Sequence, residues 1–261
     1  MASVYDSMSE SYDDIEAQPF YITQYEAYAE DLLDRLADWR GRVLDFGCGT
    51  GIHTRAVAEI ASWAVGIDVS LRLARKARVK LREARGSVLV GDATHMPFAD
   101  GAFDAVLSYG EPLSHIADPG RALAELSRVV RRGGRAILSV DNEWNVRTLL
   151  SPRRFLQAAA SRGGAIRDWE FYDDDGRPVR LSLKTFTHAE LVGLLERNGF
   201  RVEDVVGIHV LTLFVPLATD ARGDDRRARS FRLLHRLDRR LAGRWPFNRI
   251  GYSKIVAARR M

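Results

Sequence analysis

Residues 42–51 read Arg-Val-Leu-Asp-Phe-Gly-Cys-Gly-Thr-Gly, an apolar run that leads directly into a glycine-rich turn. The run predicts a short β-strand at Arg42–Phe46, and the residues after the turn predict a helix from about Gly51 to Ser62. Glycines in such a turn let the backbone take positive φ angles and approach a ligand closely. The stretch therefore predicts a parallel β-α-β unit with a binding turn at the carboxyl end of its first strand.

The same alternation of apolar runs and helical patterns continues to about residue 140. Ser70 is a predicted N-cap for a basic helix that runs to about Arg85, and a second helix is predicted from Pro119 to about Arg132, ending at Gly133–Gly134. Regular alternation of this kind indicates an α/β fold, a doubly wound, Rossmann-like, mostly parallel sheet. Four more strands are predicted, at Ala64–Asp68, Ser87–Gly91, Phe103–Ser108 and Arg135–Val140.

The second half of the chain is less regular and predicts a C-terminal antiparallel strand pair with helical lid elements. The two late strands are Phe200–Phe214 and Tyr252–Ala258, and the excursion between them is expected to fold over the carboxyl edge of the sheet. The other predicted elements are helices at 143–160, 188–198 and 225–242, and a hairpin that joins Trp169–Tyr172 to Val179–Leu183 across Asp173–Gly176.

We expect one domain over residues 1–261. Residues 1–40 would form N-terminal cap helices, 41–142 the cofactor-binding core, and 143–261 the substrate lid and final strands. A hydrophobic share of 46% excludes a mainly disordered chain. The longest mostly apolar run, Val205–Thr219, is shorter than the roughly 20 residues that a bilayer span needs. No secretory signal is apparent, and a single cysteine excludes an internal disulfide, so a cytoplasmic protein is predicted.

The net charge of +4 conceals opposed ends. Residues 1–40 hold ten acids and two arginines, whereas 221–261 hold twelve arginines and one lysine against three aspartates. A basic tail of this kind suits nucleic acid, an anionic membrane or an acidic substrate, but also a solvated surface or a pairing with the acidic N-terminal segment.

The glycine turn fits two common phosphate-binding motifs poorly. A dinucleotide turn needs Gly-x-Gly-x-x-Gly/Ala, yet Ile52 or Thr54 occupies the third glycine position. A P-loop needs a Gly-Lys-Ser/Thr sequence, which is absent. Asp45, two residues before the first glycine, is a poor neighbour for a phosphate and a good one for an amine or a cation.

With these features the chain resembles the class I S-adenosylmethionine-dependent methyltransferases, and most closely those that act on small molecules such as quinones, sterols and natural products. The resemblance runs in order through about 140 residues. It rests on the glycine turn and on four further motifs, Gly66–Ser70, Gly91–Phe98, Phe103–Val106 and Leu126–Gly134.

The resemblance implies S-adenosylmethionine as cofactor, S-adenosylhomocysteine as product, and a role for each matching residue. Asp45 would accept hydrogen bonds from the methionyl amine, directly or through water, and Asp68 would accept both ribose hydroxyls. Asp92 would receive the adenine amino group, with Val69 and Ala93 packing near the base. The turn residues Gly47, Cys48, Gly49 and Gly51 would line the aminoacyl and sugar portion, and Tyr12 would cover the sulfonium.

Catalytic residues are less clearly indicated. Cys48 is rejected as a nucleophile because it lies in the glycine turn with no partner to activate it. No cluster of carboxylates and histidines suggests a metal. Tyr109, Glu111 and His115 are candidate bases after the fourth strand, His188 and His209 lie in the variable part, and Asp141 and Asn142 are expected to face the cleft and hold substrate.

Three functions stay open. A small-molecule methyltransferase leads, and the segment Ser108–Pro112 supports it because it lacks the Asn/Asp-Pro-Pro-aromatic motif of enzymes that methylate amino groups in nucleobases. An RNA or protein methyltransferase that uses the basic tail is the alternative, and a cofactor-binding protein without catalysis is the third. The basic amphipathic helix at 225–242 is predicted either to cover a substrate or touch a membrane surface, or to leave its arginines in water.

Overall fold

The computed structural model of the chain describes residues 1–16, 41–161, 163–214 and 225–261. Its first half contains helices α1 (Ala2–Ser7), α2 (Tyr12–Glu16), α3 (Ile52–Ile60), α4 (Leu71–Lys80) and α5 (Pro119–Val129), and strands β1 (Arg42–Phe46), β2 (Trp63–Asp68), β3 (Gly86–Val90), β4 (Phe103–Ser108) and β5 (Val130–Asp141). Its second half contains helices α6 (Val146–Leu150), α7 (Pro152–Ala160), α8 (His188–Arg197), α9 (Asp225–Leu241) and α10 (Phe247–Ile250), and strands β6 (Ile166–Tyr172), β7 (Pro178–Lys184), β8 (Phe200–Ile208) and β9 (Ser253–Arg260).

Seven strands form one sheet in the order β3-β2-β1-β4-β5-β9-β8, which confirms the predicted fold class. The first five are parallel, and β9 runs antiparallel to both β5 and β8. The strand order reverses beside β1, and in such sheets the crevice beyond the carboxyl ends at that point is where ligands bind. The fold therefore directs attention to the turns that follow β1, β2 and β4.

Helices cover both faces of the sheet, so the central strands are buried on each side. Leu44, Phe46 and Leu138 face a core shared with α5 and α8, whereas Val43, Ala105 and Ile137 face a core shared with α3. The alternation along each strand thus sends successive side chains into two cores. Ser70 caps α4 as predicted, its hydroxyl accepting from the Leu73 amide.

Several predicted boundaries were wrong. α4 ends at Lys80 rather than near Arg85, because the chain needs the intervening residues to turn back and pair Gly86 with Ala64. α5 ends at Val129, and Gly133–Gly134 lie within β5, where the register against β4 shifts. The predicted helix at 143–160 is divided at Ser151, because Pro152 begins α7 and Ser151 caps it.

The late strands also differ in detail from the prediction. β8 ends at Ile208 instead of Phe214, because His209 takes a left-handed φ of 55° and a 3₁₀ turn at Thr212–Phe214 follows. The predicted hairpin is present as β6 and β7, but it forms a separate two-stranded sheet. Helices predicted within residues 17–40 lie outside the described residues. Among those described, no helix is both long and apolar enough to cross a bilayer.

Candidate functional site

A cavity of about 390 Å³ opens at the carboxyl edge where the strand order reverses. Its walls come from the turns after β1, β2, β3 and β4 and from the N-terminal helices α1 and α2. Its volume falls in the ordinary range for small-ligand sites.

The glycine turn forms the floor of this cavity. The amides of Gly47 and Cys48 both donate to the carbonyl of Ile67, at 2.9 and 3.1 Å, which fastens the turn to the end of β2. Gly47 has a φ of 71°, and a Cβ there would lie 2.6 Å from the Pro112 ring. Only glycine fits this position, because the turn must pass closely beneath the segment that follows β4.

Asp68 lies at the end of β2 and faces the cavity. Its carboxylate accepts from the Gly49 amide and from the Ser70 amide, both at 2.8 Å. Burial nevertheless raises the pKa of this carboxyl above its usual value. The two amides fix the carboxylate in place, so it is preorganised to accept hydroxyl donors from a ligand.

Asp92, Val69 and Ala93 form the next part of the wall. One oxygen of Asp92 accepts from the amide and the hydroxyl of Thr94, at 2.8 and 2.9 Å. The backbone hydrogen bond is the main cause that lowers the pKa of Asp92, so the group is ionised at neutral pH. Val69 is 40% exposed although apolar, which suits a wall for a flat ring.

Two residues that the sequence assigned to cofactor binding do not line the cavity. Asp45 is buried, and its carboxylate accepts from the Thr54 hydroxyl on α3. Gly51 has a φ of 82° at the start of α3, where a Cβ would lie 2.8 Å from the Cβ of Ala77. Asp45 therefore contacts α3, and Gly51 lets the start of α3 pack closely against α4; a role for either residue in cofactor binding stays a prediction.

The N-terminal helices close over the cavity and are tied to α4 by charge. Asp6 accepts from the Ser70 hydroxyl and the Arg72 amide, Lys76 pairs with Glu10, and Asp13 accepts from Thr50 and Lys80. Asp174 of the β6–β7 hairpin accepts from the Glu10 and Ser11 amides. The acids Asp6, Glu10 and Asp13 therefore contact α4 and its N-cap.

Aromatic and imidazole side chains form the remaining wall of the cavity. The Tyr12 ring lies close to Gly49: a Cβ added at Gly49 would be 3.6 Å from the ring of Tyr12. Tyr5 packs edge-on against Tyr12. The Tyr5 hydroxyl and His115 Nδ1 are 2.6 Å apart in a hydrogen bond. Burial lowers the pKa of His115 to about 4, so the ring is neutral at physiological pH.

Of the three candidate bases, Tyr109 and His115 line the cavity and Glu111 does not. Glu111 has a left-handed φ of 57°, and its amide donates to Ser139. Burial, together with the nearby Glu111, raises the pKa of Asp141 well above its usual value. Asp141 also lies outside the lining.

Three more polar residues that the sequence offered lie elsewhere: Asn142, expected to hold substrate, and His188 and His209, the candidate bases in the variable part. The Asn142 side-chain amide donates to the carbonyls of Arg249 and Gly251 and so holds the chain before β9. His209 makes a hydrogen bond to Thr212, and His188 begins α8. None of the three lines the cavity.

His53 is a cavity residue that the sequence reading missed. It lies on the first turn of α3, is 5.1 Å from Tyr109 between ring centroids, and has its pKa lowered by burial to about 3. Its position two residues after Gly51 could have predicted this placement, because the first turn of α3 follows the glycine turn at the carboxyl edge of the sheet. The described residues contain no cluster of three His, Cys, Asp or Glu side chains that could hold a metal ion.

Comparison with known proteins gives a family match in the core. Residues 44–138 match the family model described as a methyltransferase domain. The chain is 28% identical to a protein of Mycolicibacterium smegmatis named "Probable S-adenosylmethionine-dependent methyltransferase", over 72% of this chain and 62% of that one. It is 29% identical to an uncharacterized protein of Methanocaldococcus jannaschii, over 79% and 78%.

The similarity to enzymes of named substrate is confined to a shorter region. The chain is 38% identical to the demethylmenaquinone methyltransferase of Mycobacterium marinum, over 37% of this chain and 40% of that one. It thus covers less than two thirds of the length of that relative and of the M. smegmatis protein.

Two solved structures share the fold across nearly the whole chain. One is an S-adenosylmethionine-dependent methyltransferase of Clostridium acetobutylicum, with a TM-score of 0.60, 11% identity, and coverage of 90% of this chain and 92% of that one. The other comes from a complex with the Haloferax volcanii Trm112 methyltransferase activator, with a TM-score of 0.54, 21% identity, and coverage of 93% and 97%. At these identities the likeness establishes the fold alone.

Proposed function

Because the chain belongs to the class I S-adenosylmethionine-dependent methyltransferases, we propose that it transfers a methyl group from that cofactor to a small apolar molecule. The proposal rests on one observation. One cavity, which residues of α1 and α2 also line, is lined both by the acids Asp68 and Asp92 and by the apolar or aromatic side chains of Tyr5, Ile52 and Tyr109.

The polar groups in the wall suit the cofactor part by part. Asp68 would accept the ribose hydroxyls, because two amides already hold its carboxylate facing the cavity. Asp92 would receive the adenine amino group between Val69 and Ala93. The turn from Gly47 to Gly49 would lie along the aminoacyl portion. Asp45 would support the turn through Thr54 instead of touching the methionyl amine.

S-adenosylmethionine, when bound, supplies an electrophilic methyl group on a sulfonium. The residues of this chain then contribute orientation and exclusion of water, which suffice for an in-line displacement with a neutral leaving group. Tyr12 covers the turn, and Tyr5, hydrogen-bonded to His115, closes the cavity above it. Cation–π attraction from Tyr12 would also favour a positively charged sulfur.

The cap favours a small acceptor over a polymer. α1 and α2 lie across the cavity and are fixed by three ionic or polar links to α4, so an extended chain would have to displace them. The match to demethylmenaquinone methyltransferases is consistent with an apolar ring as acceptor, although it covers only the core. The described residues of 143–261, expected to form the substrate lid and final strands, contribute no side chain to the lining of this cavity.

Transfer of labelled methyl groups tests the function directly. The protein is incubated with methyl-labelled cofactor and separate fractions of lipids, small metabolites, RNA and protein. We expect label in an organic-soluble small molecule, because the capped cavity is mostly apolar. Label confined to RNA or protein would overturn the proposed acceptor class in favour of a polymer methyltransferase. No label in any fraction, with cofactor binding intact, would indicate a binding protein without catalysis.

The state of His115 yields a second prediction, using the acceptor found by labelling. With a pKa of about 4, its ring is a weak proton acceptor, so His115→Gln is expected to lower kcat by less than about ten-fold. The pH–rate profile above about pH 6 should keep its shape. Tyr5→Phe, which removes the hydroxyl bonded to the His115 ring but keeps the tyrosine ring in place, is the matched control for loss of that hydrogen bond. A fall of more than about 100-fold in His115→Gln with loss of an ionisation would instead make His115 the base.

A further inference from the structure

Residues 144–167 carry an unusual charge pattern. The stretch contains five arginines and no aspartate or glutamate, in a chain with 35 acidic residues. Arg167 pairs with Glu143, and Arg147 lies over the Tyr252 ring at 5.3 Å. Arg153 and Arg154 are exposed and form no ion pair with a described residue. The stretch therefore presents positive charge that nothing in the described part of the chain neutralises.

The same stretch exposes large apolar side chains. Leu150 and Leu156 are 66% and 68% exposed, and Leu149 and Phe155 are also exposed. Eight of the nine residues of α7 are exposed, and Ala158 is its buried contact with the rest of the molecule. Monomeric soluble proteins rarely expose several large apolar side chains together unless they contact a partner or a membrane. We call this set the α6–α7 surface; it consists of Arg147, Leu149, Leu150, Arg153, Arg154, Phe155 and Leu156.

The α6–α7 surface lies at the functional edge of the sheet. α6 begins five residues after Asp141, the last residue of β5, and so extends from the same carboxyl edge at which the cavity opens. Trp144 anchors α7 at this edge through an edge-on contact with Phe155 at 5.5 Å between ring centroids.

We propose that the α6–α7 surface docks the protein on an anionic lipid bilayer. Leucine and phenylalanine would enter the boundary of the acyl chains while the arginines contact the head groups, which is the arrangement of interfacial amphipathic helices. Docking in this way turns the carboxyl edge of the sheet toward the lipid. The proposal does not require the proposed acceptor to be correct, because binding to a bilayer is measured without catalysis.

Other occupants fit the composition less well. Nucleic acid would attract the arginines but gain little from exposed leucines. A second copy of the chain, docked by two-fold symmetry, would bring the same arginines against each other without acids to neutralise them. An anionic bilayer satisfies both features at once.

Vesicle sedimentation with the full chain tests the proposal. Wild-type protein is expected to bind vesicles of phosphatidylcholine and phosphatidylserine at least about ten-fold more tightly than vesicles of phosphatidylcholine alone, and less tightly as salt is raised. Leu150→Ser/Leu156→Ser and Arg153→Glu/Arg154→Glu are each expected to weaken binding by about ten-fold or more. The residues changed in both double variants lie outside the cavity, so their affinity for S-adenosylmethionine should equal that of wild type. Unchanged affinity would show that the fold is intact.

The basic helix α9 supplies the matched control. Leu233 and Leu237 are exposed there beside Arg232 and Arg236, while Phe231 packs inward. Leu233→Ser/Leu237→Ser is expected to keep vesicle binding within about three-fold of wild type. The proposal is overturned if this variant loses binding while the α6–α7 variants keep it, or if wild type does not prefer anionic vesicles. Concentration-dependent dimers that Leu150→Ser/Leu156→Ser abolishes, without vesicle binding, would overturn it in favour of an interface between copies.

Discussion

Replacing Asp68 with alanine is expected to reduce the affinity for S-adenosylmethionine by about 100-fold or more while the protein stays folded. The carboxylate is the one acidic group at the end of β2, and the amides of Gly49 and Ser70 orient it toward the cavity. A ligand with two neighbouring hydroxyls would donate both to it. Each lost hydrogen bond to a charged acceptor is worth about 1.5 to 3 kcal/mol.

Titration calorimetry with the cofactor at several pH values distinguishes this role from a structural one. Burial raises the pKa of Asp68, so its neutral form appears at higher pH than for an ordinary aspartate. Wild-type affinity should therefore weaken as the solution becomes acidic, whereas Asp68→Asn should bind weakly with a flatter pH dependence. Asp175→Ala, at the exposed tip of the hairpin, is the matched control and should bind like wild type. Undiminished affinity in a folded Asp68→Ala protein would refute the ribose assignment.

The sequence predicted the parts of the site that depend on local pattern. An apolar run followed by glycines requires a strand and a tight turn, and acids that end neighbouring parallel strands must meet at one edge, as Asp68 and Asp92 do. The parallel strands and the antiparallel pair at one side of the sheet were predicted from the same periodicity and from the length of the last excursion, whereas the order of the strands was not predicted.

The sequence did not predict contacts between segments that are far apart along the chain. Asp13 forms an ion pair with Lys80, and Asp174 accepts a hydrogen bond from the Ser11 amide, but the local periodicity of the sequence predicts neither contact. Asp45 illustrates the same limit. Its position before the turn predicted a ligand contact, direct or through water, but did not predict that the Thr54 hydroxyl on the next helix donates to its carboxylate.

Gly133–Gly134 show why helix ends were misjudged. A glycine pair after a basic helix is the usual signal for a C-cap. Here a Cβ at Gly134 would lie 2.7 Å from the carbonyl oxygen of Asp104, so glycine is required by the close approach of two strands. Glycine is favoured both at a helix C-cap and where two strands approach closely, and the sequence alone does not distinguish the two cases.

Replacing Lys254 with methionine is expected to stabilise the protein, in contrast to most core substitutions. Lys254 lies in β9 between Val140 and Gly207 and is fully buried, and no described residue makes a hydrogen bond to its Nζ. Burial, with a smaller contribution from Arg249, lowers its pKa to about 7. Lysine in an unfolded chain titrates near 10.4, so below about pH 7, where the folded state also holds the proton, the buried charge costs up to about 5 kcal/mol.

The pH dependence of this cost has a definite sign. Between about pH 7 and 10.5 the unfolded chain binds more protons at this site than the folded one, so the free energy of unfolding rises with pH across that window. Below about pH 7 both states are protonated and the full penalty remains. The gain from Lys254→Met should therefore be largest in neutral and mildly acidic solution and shrink as the pH approaches 10.

Urea denaturation at about pH 6 and about pH 9.5 measures the effect. Lys254→Met should raise the free energy of unfolding at both values, by more at the lower one, because methionine fills nearly the same volume without a charge. Lys184→Met is the matched control, since Lys184 pairs with Glu190 at 2.8 Å and its loss should bring no stabilisation at either pH. A Lys254→Met protein that is less stable than wild type at both pH values would mean that the ammonium has a stabilising contact in the folded protein, and the assignment of an unpaired buried charge would then be wrong.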